Sequence, residues 1–306
     1  MMHIGKDLPR DDHSEPEGRN PRTHDMDVLP TLELLEILND EDERVPAAVR
    51  AALPALADAV DRAADRFETG GRIHYVGAGT SGRIAVQDAA ELIPTFGIQP
   101  DRIVAHIAGG QEALVQPVEG AEDDPETALR DVELTTSDVV LGLSASGTTP
   151  YVDGALRRAR QAGALTILIT ANGDAELVRV VDVPIVVATG PEALAGSTRL
   201  KAGSAQKMAL NSFSTALMTR VGRTWSNLMV SMAASNDKLR SRAVAVISAI
   251  AGVDGQVAAD ALLRCDYRLG VAVVHVAGGI DPDGAAEVLE RSGGSVRRAI
   301  DMLTEA

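Results

Sequence analysis

The sequence predicts an α/β fold, a doubly wound parallel sheet of five strands flanked by helices, followed by a small all-helical subdomain. Short β-branched runs alternate with helical segments, which requires crossover connections between parallel strands. Two of these runs also lead directly into loops rich in glycine and hydroxyl residues. The predicted strands are residues 73–76, 103–108, 139–143, 165–170 and 183–187.

Two helices are predicted before the sheet. The first follows Thr31 and carries Leu32, Leu35 and Leu38. The second begins near Pro46, a suitable first-turn position for proline. Its apolar residues recur at spacings of three and four, which buries one face of the helix. These residues are Val49, Leu53, Leu56, Val60, Ala63 and Phe67.

A long helix is predicted after the sheet, over about 202–221, with Met208, Phe213 and Leu217 facing inward. Beyond it, glycines divide the chain into short helices. The valine-rich run 269–277 suits either a helix or a strand.

Three regions follow from these patterns. Residues 1–27 are rich in charged residues, proline and asparagine and show no hydrophobic period, which predicts a disordered tail with no catalytic role. Residues 28–236 hold the sheet and its helices, and residues 237–306 form the helical subdomain.

The composition of the 306 residues is that of a soluble globular protein, with 45% hydrophobic and 24% charged residues. The net charge of −15 argues against binding to nucleic acid or to an anionic membrane. No apolar run is long enough to span a bilayer, and the charged N-terminus lacks a signal-peptide core. We therefore expect a cytoplasmic protein.

Cysteine and histidine usage gives no indication of a metal site. Cys265 is the single cysteine, so an intrachain disulfide and a cysteine-based zinc site are both excluded. The six histidines show no metal-ligand spacing, and we interpret His74 and His106, both in predicted strands, as core residues.

Two strand-to-helix loops are the strongest functional signal. Residues 77–83 read Gly-Ala-Gly-Thr-Ser-Gly-Arg, and residues 144–150 read Ser-Ala-Ser-Gly-Thr-Thr-Pro. Glycine lets the backbone approach an anion, the following helix offers unpaired N–H groups, and hydroxyls add donors. Ligands of parallel sheets bind beyond the carboxyl ends of the strands, where both loops lie. The pair of loops predicts a site for a phosphorylated small molecule.

Two other interpretations of the first loop were weighed. Gly77, Gly79 and Gly82 also match the dinucleotide-binding fingerprint, which requires an acidic residue at the end of the second strand. That strand ends in two glycines, and the nearby Asp101 precedes it, so a sugar phosphate is favoured. A glycine turn without a ligand would explain one such loop more readily than two.

Residues 197–207 form a basic segment with three positive charges and no acid. In a chain of negative net charge, such a local cluster could attract an anionic substrate, and Lys201 is the cation we expect to contact it. The alternative is a solvated helix end.

Seven colinear stretches, within a likeness that runs from about Leu29 to the C-terminus, resemble a known family. They are residues 38–42, 77–83, 88–91, 94–97, 118–124, 196–203 and 227–230. They resemble the N-acetylmuramic acid 6-phosphate etherases, which have a sugar isomerase (SIS) fold.

The resemblance implies a cytoplasmic homodimer that acts in peptidoglycan recycling without a metal or cofactor. It also implies a C-terminal helical domain similar to a ubiquitin-associated module. The implied reaction converts N-acetylmuramic acid 6-phosphate and water to N-acetylglucosamine 6-phosphate and D-lactate.

The resemblance further implies two catalytic glutamates. Glu91 matches the acid that protonates the departing lactate and later helps to activate water, and Glu122 matches a base at C2. From the residues alone, Glu91 ends a helix that starts at the first loop and breaks at Pro94. Glu122 lies in an acidic run, and such a run is more often a solvated face.

The wider SIS fold implies phosphate contacts in both loops. Gly79 and Gly147 accompany them, since glycine lets the backbone approach the phosphate. The implied contacts are Thr80, Ser81, Ser144, Ser146 and Thr149.

Three departures from the family pattern affect substrate recognition. The family usually has arginine at Thr148, Cys-Pro at Leu92-Ile93 and aspartate at Ser231. Loss of an arginine beside the loop removes a charge-assisted contact, which leaves sugar specificity open.

Two other functions therefore remain alternatives to the etherase. A non-catalytic sugar-phosphate sensor would not need Glu91 and Glu122. An aldose–ketose phosphate isomerase would use the same loops but would not need the motif at 118–124.

Overall fold

The structure is a computed structural model that describes residues 18–305. Its helices and strands, in chain order, are α1 Thr31–Asp42, α2 Val45–Glu68, β1 Ile73–Gly77, α3 Gly79–Phe96, β2 Ile103–Ile107, β3 Val139–Leu143, α4 Pro150–Gln161, β4 Leu165–Thr170, β5 Val183–Val186, α5 Lys201–Arg220, β6 Thr224–Trp225, β7 Leu228–Met229, α6 Asp237–Ala251, α7 Gly255–Arg264, α8 Leu269–Gly278, α9 Pro282–Arg291 and α10 Val296–Thr304.

The chain forms two compact units. We call Met1–Ala89 with Ile103–Phe213 the sheet unit, and Ala90–Arg102 with Ser214–Ala306 the helical unit. The predicted boundary between residues 236 and 237 falls inside the helical unit, because Val230 and Met232 are buried in the same core as helices α6 to α10.

The predicted parallel sheet is confirmed. Its five strands are ordered β2-β1-β3-β4-β5, and every neighbouring pair is parallel. Strands β1, β3 and β4 are buried along their whole length, whereas the edge strands β2 and β5 are partly exposed. The strand order reverses between β1 and β3, and this switch point is where doubly wound sheets bind ligands. Both predicted loops follow these two strands.

Helices α1, α2 and α5 form where the sequence predicts them, with differences in which side chains are buried. In α5, Phe213 and Leu217 are buried, but Met208 is 37% exposed, contrary to expectation. Met208 is five residues before Phe213, about 140° around the helix, so the two cannot share a face. In α2, Leu53 is 42% exposed at the edge of an otherwise buried stripe.

Helix α3 does not end at Pro94, as the sequence suggested, but continues to Phe96. Proline there removes one hydrogen bond to the carbonyl group four residues earlier, that of Ala90. Because Ala90 is exposed, water can satisfy that carbonyl.

Ordered structure begins before the predicted limit of the N-terminal tail at residue 27. Pro21–Thr23 and Met26–Val28 form short 3-10 helices. The buried Asn20 donates hydrogen bonds to Glu41 and to the carbonyl oxygen of Pro191, and Thr23 donates to that of Ala193. Long-range polar contacts therefore fix this segment on the sheet unit. A search for hydrophobic periodicity does not detect contacts of this kind. Residues 1–17 lie outside the described part of the chain.

The helical unit resolves the ambiguity of the valine-rich run, which is helix α8. Its residues Leu269, Val271, Val273 and Val274 are buried, and a helix buried around its circumference tolerates a continuous apolar sequence. Gly279, in the left-handed conformation, ends it.

Between residues 18 and 305, no single helix is long and apolar enough to cross a membrane; α6 and α7, bent by 111°, meet the length and composition criteria only as a pair.

Candidate functional site

The carboxyl ends of β1 and β3 border a cavity of about 490 Å³ in the sheet unit. Its walls come from the first turns of α3 and α4, from the 3-10 helix Ala121–Asp123 and from the segment before α5. The lining residues are Ala78, Gly79, Thr80, Ser81, Glu122, Asp123, Ala145, Ser146, Thr148, Thr149, Pro150, Gly196 and Thr198. The structure thus brings both predicted loops together in one cavity.

The first loop depends on close packing of strand against helix. A Cβ atom on Gly82 would lie 2.7 Å from the carbonyl oxygen of Gly77 and 2.5 Å from Cγ1 of Ile107, so only glycine fits. This packing places Thr80 and Ser81 at the cavity wall. The Ser81 hydroxyl donates to Oε1 of the buried Gln206 at 2.8 Å, which holds its side chain in place.

The second loop is shaped by Ser144. Its Oγ accepts a hydrogen bond from the backbone N–H of Gly147 at 3.0 Å and lies 2.8 Å from Oγ1 of Thr149. Gly147 has φ +69°, and a Cβ there would lie 2.5 Å from that of Ala175. Ser144 and Gly147 do not line the cavity, so they serve the loop's conformation, whereas Ser146 and Thr149 face the cavity.

Thr148 occupies the position at which the family resemblance led us to expect arginine. It is exposed and lines the cavity, and its hydroxyl donates to Ser146 Oγ at 2.9 Å. The backbone N–H of Thr148 reaches the same oxygen at 3.3 Å. Thr148 therefore orients Ser146 but adds no charge.

Lys201 does not contact the cavity, contrary to expectation. It is fully buried, and its Nζ donates to a carboxylate oxygen of Glu41 at 2.5 Å. Arg22 and Asn20 also donate to that carboxylate. Burial alone would raise the pKa of Glu41, but the hydrogen bonds from Arg22 and Lys201 lower it to about 2. The ammonium group of Lys201 is therefore already paired, because a buried charge requires a partner.

The first turn of α5 is occupied as well. The backbone N–H groups of Lys201 and Ala202 donate to the buried carboxylate of Glu192 at 3.0 and 2.9 Å. Two of the orphan N–H groups of this helix are thereby satisfied by protein. Helix α4, in contrast, has no side-chain cap at its N-terminus. The first turn of α4 at the cavity wall is therefore the better place for an anion.

The cavity contains hydroxyls and acids but no cation. Of the described residues that line it, none is lysine or arginine, whereas Glu122 and Asp123 are acidic. The other cations of the basic segment, Arg199 and Lys207, are exposed outside this lining. The basic segment 197–207 was expected to contact the anionic substrate, but none of its cations lines this cavity.

The two predicted catalytic glutamates are placed differently. Glu122 lines the cavity beside the hydroxyl loops. Glu91 is exposed on α3, twelve residues or about 18 Å along the helix from Gly79, and does not line the cavity. The sequence predicted that Glu91 ends a helix that breaks at Pro94, but α3 continues to Phe96.

Sequence reasoning missed Gly196, Thr198 and Gln206. The first two belong to a Gly-Ser-Thr run before a helix, which is the same signal as in the other two loops and could have identified them. For Gln206, 125 residues from its partner Ser81, the sequence carries no signal.

No group of three or more histidine, cysteine, aspartate or glutamate side chains suitable for a metal ion occurs in the described residues. His74 Nδ1 and His106 Nε2 lie 3.0 Å apart, and burial lowers the pKa of each to about 4. Both are therefore neutral interior residues at ordinary pH.

Two family models match overlapping parts of the chain. The glucokinase regulatory protein N-terminal SIS domain matches residues 55–160, and the SIS domain matches residues 116–216. Among solved structures, a phosphoheptose isomerase from Francisella tularensis has a TM-score of 0.51 at 17% identity, covering 62% of this chain and 100% of that one. This likeness establishes the fold alone.

Curated relatives are similar over nearly the whole chain. A protein of Thermobifida fusca is 54% identical over 84% of this chain and 85% of its own. One of Mycolicibacterium smegmatis is 48% identical over 94% of this chain and 97% of its own. Both are named N-acetylmuramic acid 6-phosphate etherase. Identity of this extent, on an SIS fold whose hydroxyl loops and Glu122 share one cavity, shows that the chain belongs to the N-acetylmuramic acid 6-phosphate etherase family.

Proposed function

We propose that this protein cleaves the lactyl ether of N-acetylmuramic acid 6-phosphate with water, releasing N-acetylglucosamine 6-phosphate and D-lactate in cell-wall recycling in the cytoplasm. The observation that carries this proposal is the position of Glu122, a carboxylate in the same cavity as the two hydroxyl loops. A carboxylate adds nothing to the binding of the phosphate itself, which it repels, but it supplies the base that removal of a proton from the sugar requires.

The 6-phosphate binds between the loops. Hydroxyls of Thr80, Ser146 and Thr149 donate to its oxygens, Ser81 holds the first loop through its bond to Gln206, and the first turns of α3 and α4 add backbone N–H groups and the positive ends of their dipoles. Hydroxyl and backbone N–H groups of this kind can surround a phosphate without a metal ion.

The chemistry begins at C2 of the open-chain sugar, whose proton is acidic because C2 neighbours the C1 aldehyde. Glu122 takes this proton, and the electron pair forms a C2–C3 double bond as the C3–O bond to lactate breaks. An acid protonates the departing lactyl oxygen. Water then adds at C3, giving up one proton, and C2 regains a proton, so that an ether is hydrolysed by two proton-transfer groups.

Glu91 is the acid that the family motif at residues 88–91 implies. Since it does not line the cavity of its own chain, this role requires Glu91 of a second copy. We propose a homodimer on the family resemblance and on three exposed apolar side chains, Val28, Leu32 and Leu35, whose fractional exposures of 74%, 67% and 57% make a surface that association would cover.

Mixing two inactive variants tests this arrangement. If each site combines Glu122 of one chain with Glu91 of the other, dimers of Glu91→Gln with Glu122→Gln contain one intact site. Equal mixing with subunit exchange should then restore about a quarter of the activity, because half the dimers are mixed and half their sites are intact. No recovery, with exchange verified by a mass-tagged subunit, would assign both residues to one chain or remove Glu91 from the mechanism.

The activity itself is tested by D-lactate release from N-acetylmuramic acid 6-phosphate in deuterated, 18O-labelled water. Elimination and addition should leave deuterium at C2 and the oxygen label at C3 of the product. Retention of hydrogen at C2 would contradict the route and the role of Glu122. A sensor would bind substrate without releasing lactate, and an isomerase would interconvert aldose and ketose without releasing it.

A further inference from the structure

The helical unit contains a cavity of its own, of about 550 Å³. Its walls come from the extended segment 231–235, the turn between α7 and α8, and the start of α8. The lining residues are Gly97, Arg223, Ser231, Met232, Ala233, Ala234, Ser235, Asp266, Tyr267, Arg268, Leu269, Gly270, Val271, Leu289 and Gly294.

Arg223 is the unusual member of this lining. Its Nε is buried and has no hydrogen-bond partner, and no carboxylate of the described residues is within ion-pair distance of its guanidinium. The guanidinium packs over Gly294, where a Cβ atom would lie 2.7 Å from Nη1. Glycine at position 294 therefore leaves room for this side chain at the cavity wall.

The surroundings increase the positive potential at Arg223. Burial lowers the pKa of Arg223, and the positive charges of the neighbouring Arg102 and Arg298 lower it further. Arg268 also lines the cavity. The single acid of the lining, Asp266, is exposed and makes no ion pair with Arg223. A buried Nε–H group without an acceptor is unfavourable, and an anion would supply one.

The remainder of the wall is apolar. Met232, Leu269 and Val271 are each at most 5% exposed, and Leu289 lies beside them. Asp266 and Tyr267 have φ values of 51° and 59°, a conformation that residues other than glycine adopt at a cost. This turn forms one edge of the cavity. The shape of that edge therefore depends on an unfavourable backbone conformation at Asp266 and Tyr267.

From the cation and the apolar wall together, we propose that this cavity binds an organic oxyanion, a carboxylate or phosphate group on a short apolar carbon skeleton. Two oxygens of the anion accept from the fork of Arg223, and the carbon skeleton lies on Met232, Leu269 and Val271. The planar guanidinium matches both oxyanions in this way. The proposal uses none of the residues assigned to the ether cleavage, so either can fail without the other.

Trp225 offers a specific readout. It is the single tryptophan of the chain, lies two residues from Arg223, and carries the guanidinium of Arg297 4.1 Å above its ring. The full-length protein is titrated with sodium butanoate and, separately, with inorganic phosphate, against sodium chloride at constant ionic strength. We expect a saturable change in Trp225 emission with butanoate, with phosphate, or with both, and none with chloride; the two titrations distinguish a carboxylate from a phosphate ligand.

Variants assign this response to the cavity. Arg223→Gln should weaken the apparent affinity about tenfold or more, and Ser231→Asp, which puts a carboxylate on the wall, should do the same while raising the melting temperature. Arg242→Gln removes an exposed arginine outside the lining and should change nothing. Ser146→Ala alters the other cavity and should also leave the response intact.

The proposal is overturned if neither anion gives a saturable response beyond that of chloride. It is equally overturned if the response persists with unchanged affinity in Arg223→Gln and Ser231→Asp. Should Arg223→Gln fail to fold, Ser231→Asp decides alone, because it retains the guanidinium and changes only its access to an external anion.

Discussion

The cavity of the sheet unit and that of the helical unit are similar in size, about 490 and 550 Å³, but opposite in chemistry. The first offers hydroxyls and two acids, and the second offers an unpaired guanidinium on an apolar wall. A cation beside a carboxylate lowers its pKa and makes it a weaker base. In the cavity of the sheet unit, neutral donors to the phosphate are therefore compatible with Glu122 as a base. In the cavity of the helical unit, which we assign no catalytic role, a cation can bind the proposed anion directly.

The largest expected effect concerns Glu122. Glu122→Gln should lower kcat for lactate release by about 10²- to 10⁴-fold and abolish deuterium exchange at C2, since a positioned base contributes that much. Asp123→Asn is the matched control, because Asp123 lines the same cavity and loses the same charge. An equal loss in both variants, measured by steady-state kinetics, would indicate that the cavity needs negative charge rather than a base at residue 122.

The next effect concerns Lys201, a buried cation that is paired with Glu41, in contrast to Arg223, which has no carboxylate partner among the described residues. Glu41→Gln leaves the ammonium of Lys201 buried without a counter-charge, which typically costs about 3–5 kcal/mol of unfolding free energy. Denaturant unfolding measures this loss. The variant Glu41→Gln/Lys201→Met removes both charges and should recover much of it. If the double variant is no more stable than the single one, the pairing is not what Glu41 contributes.

The same pair predicts a pH dependence. The folded-state pKa of Glu41 is about 2, below its ordinary value of 4.5, so its contribution is complete above pH 4.5 and is lost as pH falls toward 2. Unfolding free energy of the native protein should fall across this window more steeply than that of Glu41→Gln. Parallel curves would show that Glu41 does not have this depressed pKa.

A smaller effect is expected from the phosphate hydroxyls. Ser146→Ala should raise KM with little change in kcat, because one hydrogen bond to a charged group contributes about 1.5–3 kcal/mol to binding. Ser144→Ala is a useful comparison, since Ser144 bonds to Thr149 and Gly147 within the loop and should reduce both affinity and stability. Unchanged KM values in Ser146→Ala and in Thr149→Val would contradict this placement of the phosphate.

The smallest effect tests the contrast directly by adding a positive charge to the cavity of the sheet unit, whose described lining holds acids and no cation. Thr148→Arg should tighten inhibition by inorganic phosphate about tenfold and make it more sensitive to salt, as charged contacts are screened. It should also lower kcat if the new guanidinium pairs with Glu122. Phosphate inhibition with the affinity and salt dependence of the native enzyme would show that residue 148 does not reach the bound anion.

Local pattern was sufficient to predict the backbone of the sheet unit. The five predicted strands agree with the structure to within one residue at each end, because each is a short apolar run with β-branched residues. The two loops were likewise recognisable, since glycines and hydroxyls at a strand end indicate their own geometry. The helical unit was harder, and the run that became α8 suited two structures until its burial on all sides was known.

The sequence by itself determined the fold class, the two loops rich in glycine and hydroxyl residues, and the family, because these depend on the order of residue types along short segments. Tertiary structure alone decided which side chains are available for chemistry. Lys201 is buried against Glu41, 160 residues away, Glu91 lies twelve residues along α3 from Gly79, and the buried Nε of Arg223 has no hydrogen-bond partner within residues 18–305. The charge state and partners of a side chain depend on what folding places beside it, and local sequence does not contain that information.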